Sequence, residues 1–470
     1  MRAASDLFQI FIILSSIYYM IYYKEKLFYM RIKYLPCVIP LIYLLFLSCS
    51  GKEQSERTGN KPDRPVFSPG ESFRAEVEEN ILPYWMFKTT DPVNGGFYGV
   101  VSRKGRVEND ASRTLVINAR ILWTFSEAYR LFNKEKYLYT ATRAYHYLLD
   151  HFKDNKKGGF FWKNSHTGEV TDSSKHIYAQ AFCIYGLSSY YQASGKTEAL
   201  DEAKDMFKQI EKHAYDIHQG GYTEGFSAQW EETGYLIVGG NNLGAEKSMN
   251  THLHIMEAYT ALYRIWKDER LKHRLQDLIR LFMQKIVNSE NHHFHMYFNK
   301  DFRVVSNAIS YGHDIEGSWL LAEAAEVLGD EELEVSINKL SIQMARVVLN
   351  DALNDNGSLI YEAHPNGKTI TDVSWWAQAE TVVGFYNAYQ LTGEEVFKEA
   401  AIDAWQFAKQ YLVDQQYGDW FKTVKQNGEP YMNQVKVGPW KGPYHNSRMC
   451  FEMIRRITGE YVYQPKKARK

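Results

Sequence analysis

The chain has 470 residues, 45% of them hydrophobic and 24% charged, a composition that excludes a disordered protein and allows a large buried core. Its 55 basic and 56 acidic side chains leave a formal charge of −1, so no basic field exists for a nucleic-acid backbone and no nucleic-acid partner is expected. Aromatic residues reach 15%, enough to fill a helical core or to line a groove that stacks sugar rings.

Residues 1–49 read as a signal and lipoprotein segment. "MRIKYLPCVIPLIYLLFLSCS" begins at Met30 with a short basic stretch, continues as an apolar run and ends on small residues, the layout of a secretory signal. The true start is expected at Met30, because the upstream "LFQIFIILSSIYYMIYY" is itself nearly long enough to span a bilayer. Phe46, Leu47, Ser48 and Cys49 follow a bacterial lipobox, which predicts lipid attachment at Cys49, a polar linker over 50–70 and a location in the periplasm or outer membrane. Membrane contact is then expected only through that anchor; a different origin for the segment leaves the protein cytoplasmic. Cys183 and Cys450 sit in apolar helical runs and are expected to be core thiols.

Over 71–462 a glycine-aromatic turn recurs: "NGGFYG" at 94, "KGGFFW" at 157, "QGGYTEGF" at 219, "NGSLIYE" at 356 and "YGDWF" at 417. The spacing is about 62 residues, and "HHFHMYF" at 292–298 is a degenerate member filling the one double gap, which makes six units. Between turns lie pairs of helical stretches with apolar residues three and four apart, such as "RTLVINARILWTFSEAYRLF" followed by "YLYTATRAYHYLLDHF". Six such hairpins predict an all-α (α/α)6 barrel, since a closed ring buries every inner face. An open solenoid would show polar capping repeats, which are not evident. A basic tail, 463–470, follows.

The first helix of each unit carries polar residues inside an otherwise apolar run: Arg120, Tyr178, Asn250 with His254 and Glu257, His313 with Glu316, Trp376 with Glu380, and His445 with Arg448. Residues three or four apart share a helix face, so Asn250, His254 and Glu257 form one stripe, while His252 is turned about 200° from His254. Buried polar groups of this kind are costly unless paired or used, and six helices converging on one axis predict a shared polar cavity. No metal site is expected, because "HLH" diverges on a helix and His293 with His295 lacks a third ligand at a familiar spacing. No phosphate-binding glycine motif is present either, and no cofactor is expected.

A cavity of histidines, carboxylates, an arginine and indole faces suits a polyhydroxylated ligand worked on by proton transfer. Sugar epimerisation needs two groups that remove and return a proton beside an aldehyde and a cation for the enediolate; inverting glycoside hydrolysis needs two carboxylates, which Glu257, Glu316 and Glu380 could furnish. Histidine count favours the first. "MNTHLHIMEAYTALY", "SYGHDIEGSWLLAEAA", "WWAQAE" and "WKGPYHNSRMCFE" resemble the N-acylglucosamine 2-epimerase superfamily, in particular its cellobiose 2-epimerase branch, which includes mannobiose 2-epimerases, from about Arg74 to Gly459.

The resemblance implies an (α/α)6 barrel and cofactor-free chemistry at C2 of the reducing-end sugar of a disaccharide or oligosaccharide. It makes His313 and His445 the paired acid and base, His254 the residue that helps open the ring, and Arg120 the stabiliser of the enediolate. Tyr178 and Asn250 fall on substrate-binding positions; Glu316 is expected to orient His313, Glu380 to bind, and Trp376 with Trp440 to stack on the two sugars. An aldose-ketose isomerase, an N-acylglucosamine 2-epimerase, an (α/α)6 glycoside hydrolase and a non-catalytic sugar-binding lipoprotein are the alternatives. The oligomeric state is not legible, and a monomer is the expectation.

Overall fold

Long runs with apolar residues on every side form an inner layer of helices, and amphipathic runs form an outer one. In chain order, α1 is built from three consecutive stretches, Glu71–Ala75, Glu76–Ile81 and Leu82–Phe87, the middle one a π-helical turn. Then come α2 (Leu115–Phe132), α3 (Glu135–Tyr147), α4 (Ile177–Ser194), α5 (Thr197–His213), α6 (Met249–Ile265), α7 (Glu269–Leu281), α8 (Tyr311–Leu328), α9 (Glu331–Asp351), α10 (Trp375–Thr392), α11 (Glu395–Phe407) and α12 (Tyr444–Thr458). The computed structural model describes residues 70–234 and 245–459; the expected signal segment with Cys49, the linker as far as residue 69 and the basic tail lie outside the described residues. Among the described residues no helix is long and apolar enough to cross a membrane.

The even-numbered helices pack in sequence, α2 on α4, then α6, α8, α10 and α12, and α12 returns to α2, so the ring is closed. This is the (α/α)6 barrel expected from the repeat. One detail differs from six consecutive hairpins: the last turn is followed by α12 alone, and its outer partner is α1 from the other end of the sequence. Phe73 stacks on Trp405, and the Trp420 indole N–H donates to Glu76 at 2.8 Å, tying the ends together. Asn133, Gly195, Gly329, Gly393 and Gly459 close α2, α4, α8, α10 and α12 in left-handed conformation, a residue choice that stops a helix within one position.

All six glycine-aromatic turns form a bridged hairpin, at Thr90–Phe97, Lys153–Phe160, Tyr215–Tyr222, Val287–Phe294, Leu353–Leu359 and Val413–Trp420, the fifth one residue shorter than the others, so the degenerate member at 292–298 is a true repeat. Short antiparallel ladders, absent from the sequence reading, link neighbouring units just ahead of each inner helix; the last, Val435–Val437 on Val101–Ser102, closes this ring as well. The hairpins also carry an internal charge code. In the first three units an aspartate caps the turn and pairs with a cation two residues before the next inner helix: Asp91 with Arg113, Asp154 with Lys175, Asp216 with Lys247. In the next two units Asn288 and Asn354 replace the aspartate, and Ile309 and Val373 replace the cation. Charge is removed from both sides together, as burial without a partner demands.

Candidate active site

Five of the inner helices start where a ladder ends, six residues separate α12 from its own, and the first two turns of all six supply cavity residues. There, Arg120, Tyr178, Asn250, His254, His313, Glu316, Trp376, Trp440 and His445 line one cavity of about 430 Å³. That volume falls in the range of about 300–1,000 Å³ found for small-molecule sites. Nine of the sequence-predicted residues thus meet in one place. Glu380 is the exception: it sits one layer behind, where its Oε1 accepts from His445 Nδ1 at 2.8 Å and its Oε2 from the Trp319 indole N–H at 3.1 Å.

The two histidines expected to act as a pair flank one indole. The Trp376 ring centre lies 4.6 Å from that of His313 and 5.5 Å from that of His445. Gly312 permits this, because a Cβ there would come within 2.8 Å of the Trp376 ring and 2.6 Å of Ala377 Cβ. Trp376 therefore spaces the histidines, whereas Trp440 packs beside Trp162 and Tyr178 on the far wall. His313 Nδ1 is 2.7 Å from the Ser310 hydroxyl. Ser310, not Glu316, is thus its hydrogen-bonding neighbour; Glu316 points across the axis to Arg448 at 2.5 Å and to His445 Nδ1 at 3.9 Å. Sharing a helix face with His313 did not bring Glu316 into contact with it, because the converging helices offered a closer cation.

Burial sets the protonation states. Desolvation pushes His313 down to about 3, with the neighbouring His254 adding to the effect. His445 is held well below the usual histidine range by burial and then by Arg120 and Arg448. Glu316 moves the other way, to about 7, through burial and repulsion from Glu380. An ionised Glu380 can only accept, so His445 carries its proton on Nδ1 and leaves Nε2 with a free lone pair. His254 is arranged alike, with Nδ1 on Glu257 Oε2 at 2.8 Å. Arg120 donates to the Tyr178 hydroxyl at 2.7 Å and lies over Phe182; its Nε and the Asn250 amide oxygen are buried without a protein partner. Both side chains also line the cavity.

Glu316, Glu380 and His445 bring three metal-ligating atoms within 4.8 Å. Arg448 is already seated on both carboxylates, at 2.5 and 2.7 Å, so the cluster is a charge-paired network and not an open cage. The histidines weighed as ligands outside the cavity are engaged elsewhere: His293 pairs with Asp314 and Asp351, and His252 spends both nitrogens on backbone, Nδ1 on the Ser248 carbonyl and Nε2 accepting from Tyr222 N–H. Cys183 and Cys450 are buried free thiols. Sequence reasoning missed Tyr361, Asp372, Lys422 and Gln434, which reach the cavity from loops where no helical period marks them. Trp319, one turn past Glu316, packs behind the wall and also holds Glu380.

Residues 96–448 match the family described as N-acylglucosamine 2-epimerase (GlcNAc 2-epimerase). The chain belongs to this family. It is 42% identical over 385 residues to a cellobiose 2-epimerase of Bacteroides fragilis, covering 82% of this chain and 98% of that one. A cellobiose 2-epimerase of Dictyoglomus turgidum is 38% identical over 382 residues, covering 81% and 97%. The solved structure of cellobiose 2-epimerase from Bacillus thermoamylovorans superposes with a TM-score of 0.80 at 40% identity, covering 83% of this chain and 99% of that one. Within the family, the barrel, the family resemblance and the convergence of the cavity residues agree.

Proposed function

We propose that the chain is a carbohydrate 2-epimerase, an isomerase that inverts C2 of the reducing-end sugar of a β-1,4-linked disaccharide or oligosaccharide of the cellobiose or mannobiose type. The observation that carries this reading is the pair of imidazoles, half-buried His313 and buried His445, both packed against the Trp376 indole in one cavity with Arg120. Two bases of the same kind facing one space suit a proton that leaves one face of a carbon and returns to the other.

In this reading His254, braced by Glu257, assists opening of the sugar ring to the aldehyde. One of the paired histidines takes the C2 proton, and the electrons of that C–H bond move into a cis-enediolate whose oxygen faces the Arg120 guanidinium. Rotation about C2–C3 turns the opposite face, and the other histidine, neutral before substrate binds but charged with a solvent proton once the negative enediolate offsets the cost of its burial, delivers that proton to C2. The proton load is exchanged between the two imidazoles, so the reverse reaction uses the same groups in swapped roles. Glu316 and Glu380 beside His445 stabilise its imidazolium when it forms. Asn250 and Tyr178 hold hydroxyls, and Trp440 offers an indole face to the second sugar.

Incubation with cellobiose or mannobiose in heavy water, followed by NMR, tests the reading. Deuterium at C2 together with the 2-epimer is the expected result. Monosaccharide release, a ketose product or an unchanged sugar would replace it with hydrolysis, isomerisation or binding. We also propose that the enzyme is lipid-anchored at Cys49, supported by the lipobox-like sequence alone; labelled fatty acid incorporated in the wild type and lost in Cys49→Ala is the expected outcome.

A further inference from the structure

One cation at the centre of the ring has no place in the chemistry described so far. Arg448 lies three residues past His445 on α12 and is fully buried beneath the cavity, whose wall it does not form. Its guanidinium bonds Glu257 on α6, Glu316 on α8 at 2.5 Å and Glu380 on α10 at 2.7 Å. The Tyr444 hydroxyl joins it on Glu257, and the Trp319 ring lies 4.8 Å from it. Three carboxylates from three helices therefore converge on one planar fork.

Two of those carboxylates each hold a histidine of the cavity. Glu257 gives Oε1 to Arg448 and Oε2 to His254 Nδ1, while Glu380 Oε1 accepts from both Arg448 and His445 Nδ1. We propose that Arg448 is a positioning residue for epimerisation: by anchoring Glu257 and Glu380 it fixes the tautomer and aim of His254 and His445 together. This rests on the proposed epimerase reading for its kinetic consequence, but not for its structural one.

The physical reason is the behaviour of crowded carboxyl groups in a dry core. Without a counter-charge they repel one another and take up protons. A protonated carboxyl becomes a donor, able to push an imidazole into the other tautomer and turn its lone pair away from the substrate. A lysine would supply charge as a single point. It lacks the fork that holds carboxylates on two sides at fixed angles, so charge alone is not the function.

The test uses the wild type and Arg448→Lys, with Arg448→Gln as a second variant. Proton–nitrogen correlation spectra of the histidine side chains should show protonated Nδ1 on both His254 and His445 in the wild type, assigned by single His→Gln changes, and loss of at least one in Arg448→Lys. In C2 deuterium exchange, kcat should fall about 100-fold with KM within about threefold, at unchanged helical circular dichroism. Retained Nδ1 signals with a normal kcat in folded Arg448→Lys would overturn the proposal. So would a wild-type spectrum lacking those protons, a result that stands even if neither variant folds. If the wild type does not exchange deuterium at C2, the epimerase reading fails while the tautomer result still decides the role of Arg448.

Discussion

His252 and His254 are two residues apart on α6, and they belong to two different regions of the barrel. His252 faces outward, in a series with Gln180, Asp314 and Gln378 on the other inner helices. Each of these accepts a backbone N–H from a glycine-aromatic hairpin: Phe160, Tyr222, Phe294 and Leu359 in turn. His254 faces inward, in the series that lines the cavity. The outward series satisfies its acceptors within the protein, whereas the inward region leaves Arg120 Nε and the Asn250 oxygen unpartnered. The two histidines differ neither in residue type nor in burial but in their pairing: backbone takes both ring nitrogens of His252, whereas His254 is held through Nδ1 alone, on Glu257.

Breaking the inward series should have the largest effect. We expect His313→Ala and His445→Ala each to lower C2 exchange by about 10³-fold or more while far-ultraviolet circular dichroism stays unchanged. Full activity in either variant would remove that histidine from the pair. The next effect is in pH. Glu316 is the cavity carboxyl lifted into the working range, to about 7, so protonation below that value removes its charge from Arg448 and His445. Wild-type kcat/KM should therefore decline as pH falls through about 7, and Glu316→Gln should lose that limb; an unaltered profile in the variant would assign the limb elsewhere.

On the outward side, changes should cost stability and spare chemistry. His252→Ala leaves the buried Tyr222 N–H without an acceptor, at a cost of about 1–3 kcal/mol in urea unfolding, with kcat per folded molecule unchanged. A large kcat loss at full stability would erase the distinction between the two series. Smallest of all is the turn clamp. Asp216, held at about 2 by Lys247 and two backbone N–H groups against the cost of burial, contributes stability that is full above its ordinary value of 3.8 and is lost as pH falls through about 2. Asp216→Asn should lower the melting temperature at neutrality, where the ionised clamp is fully in place, and flatten its fall across that acid window.

Much of this was legible from spacing. Five glycine-aromatic turns and one degenerate copy were enough for the barrel, because each unit needs the same hairpin to reverse the chain between layers. The 3.6-residue period sorted His254 from His252 and placed Trp376 above Glu380. Contacts between helices were not legible. Glu316 shares a face with His313 yet answers to Arg448 on α12, a partner 132 positions away. Asp372 and Lys422 approach the cavity on loops, where side-chain direction follows the turn and not a period. The paired Asp-to-Asn and cation-to-aliphatic changes between units were visible in the sequence, but only the hairpin geometry shows that they are two sides of one contact.

The seam between α1 and α12 has a consequence for the newborn chain. The first helix of the barrel leaves the ribosome early and must wait for the last, while the edges of α2 and α10 that α12 will cover stay open to other apolar surfaces. The helix that finally fills the gap also brings His445 and Arg448. Sealing the barrel and completing the cavity wall are thus a single event, and a chain interrupted anywhere before residue 444 lacks both.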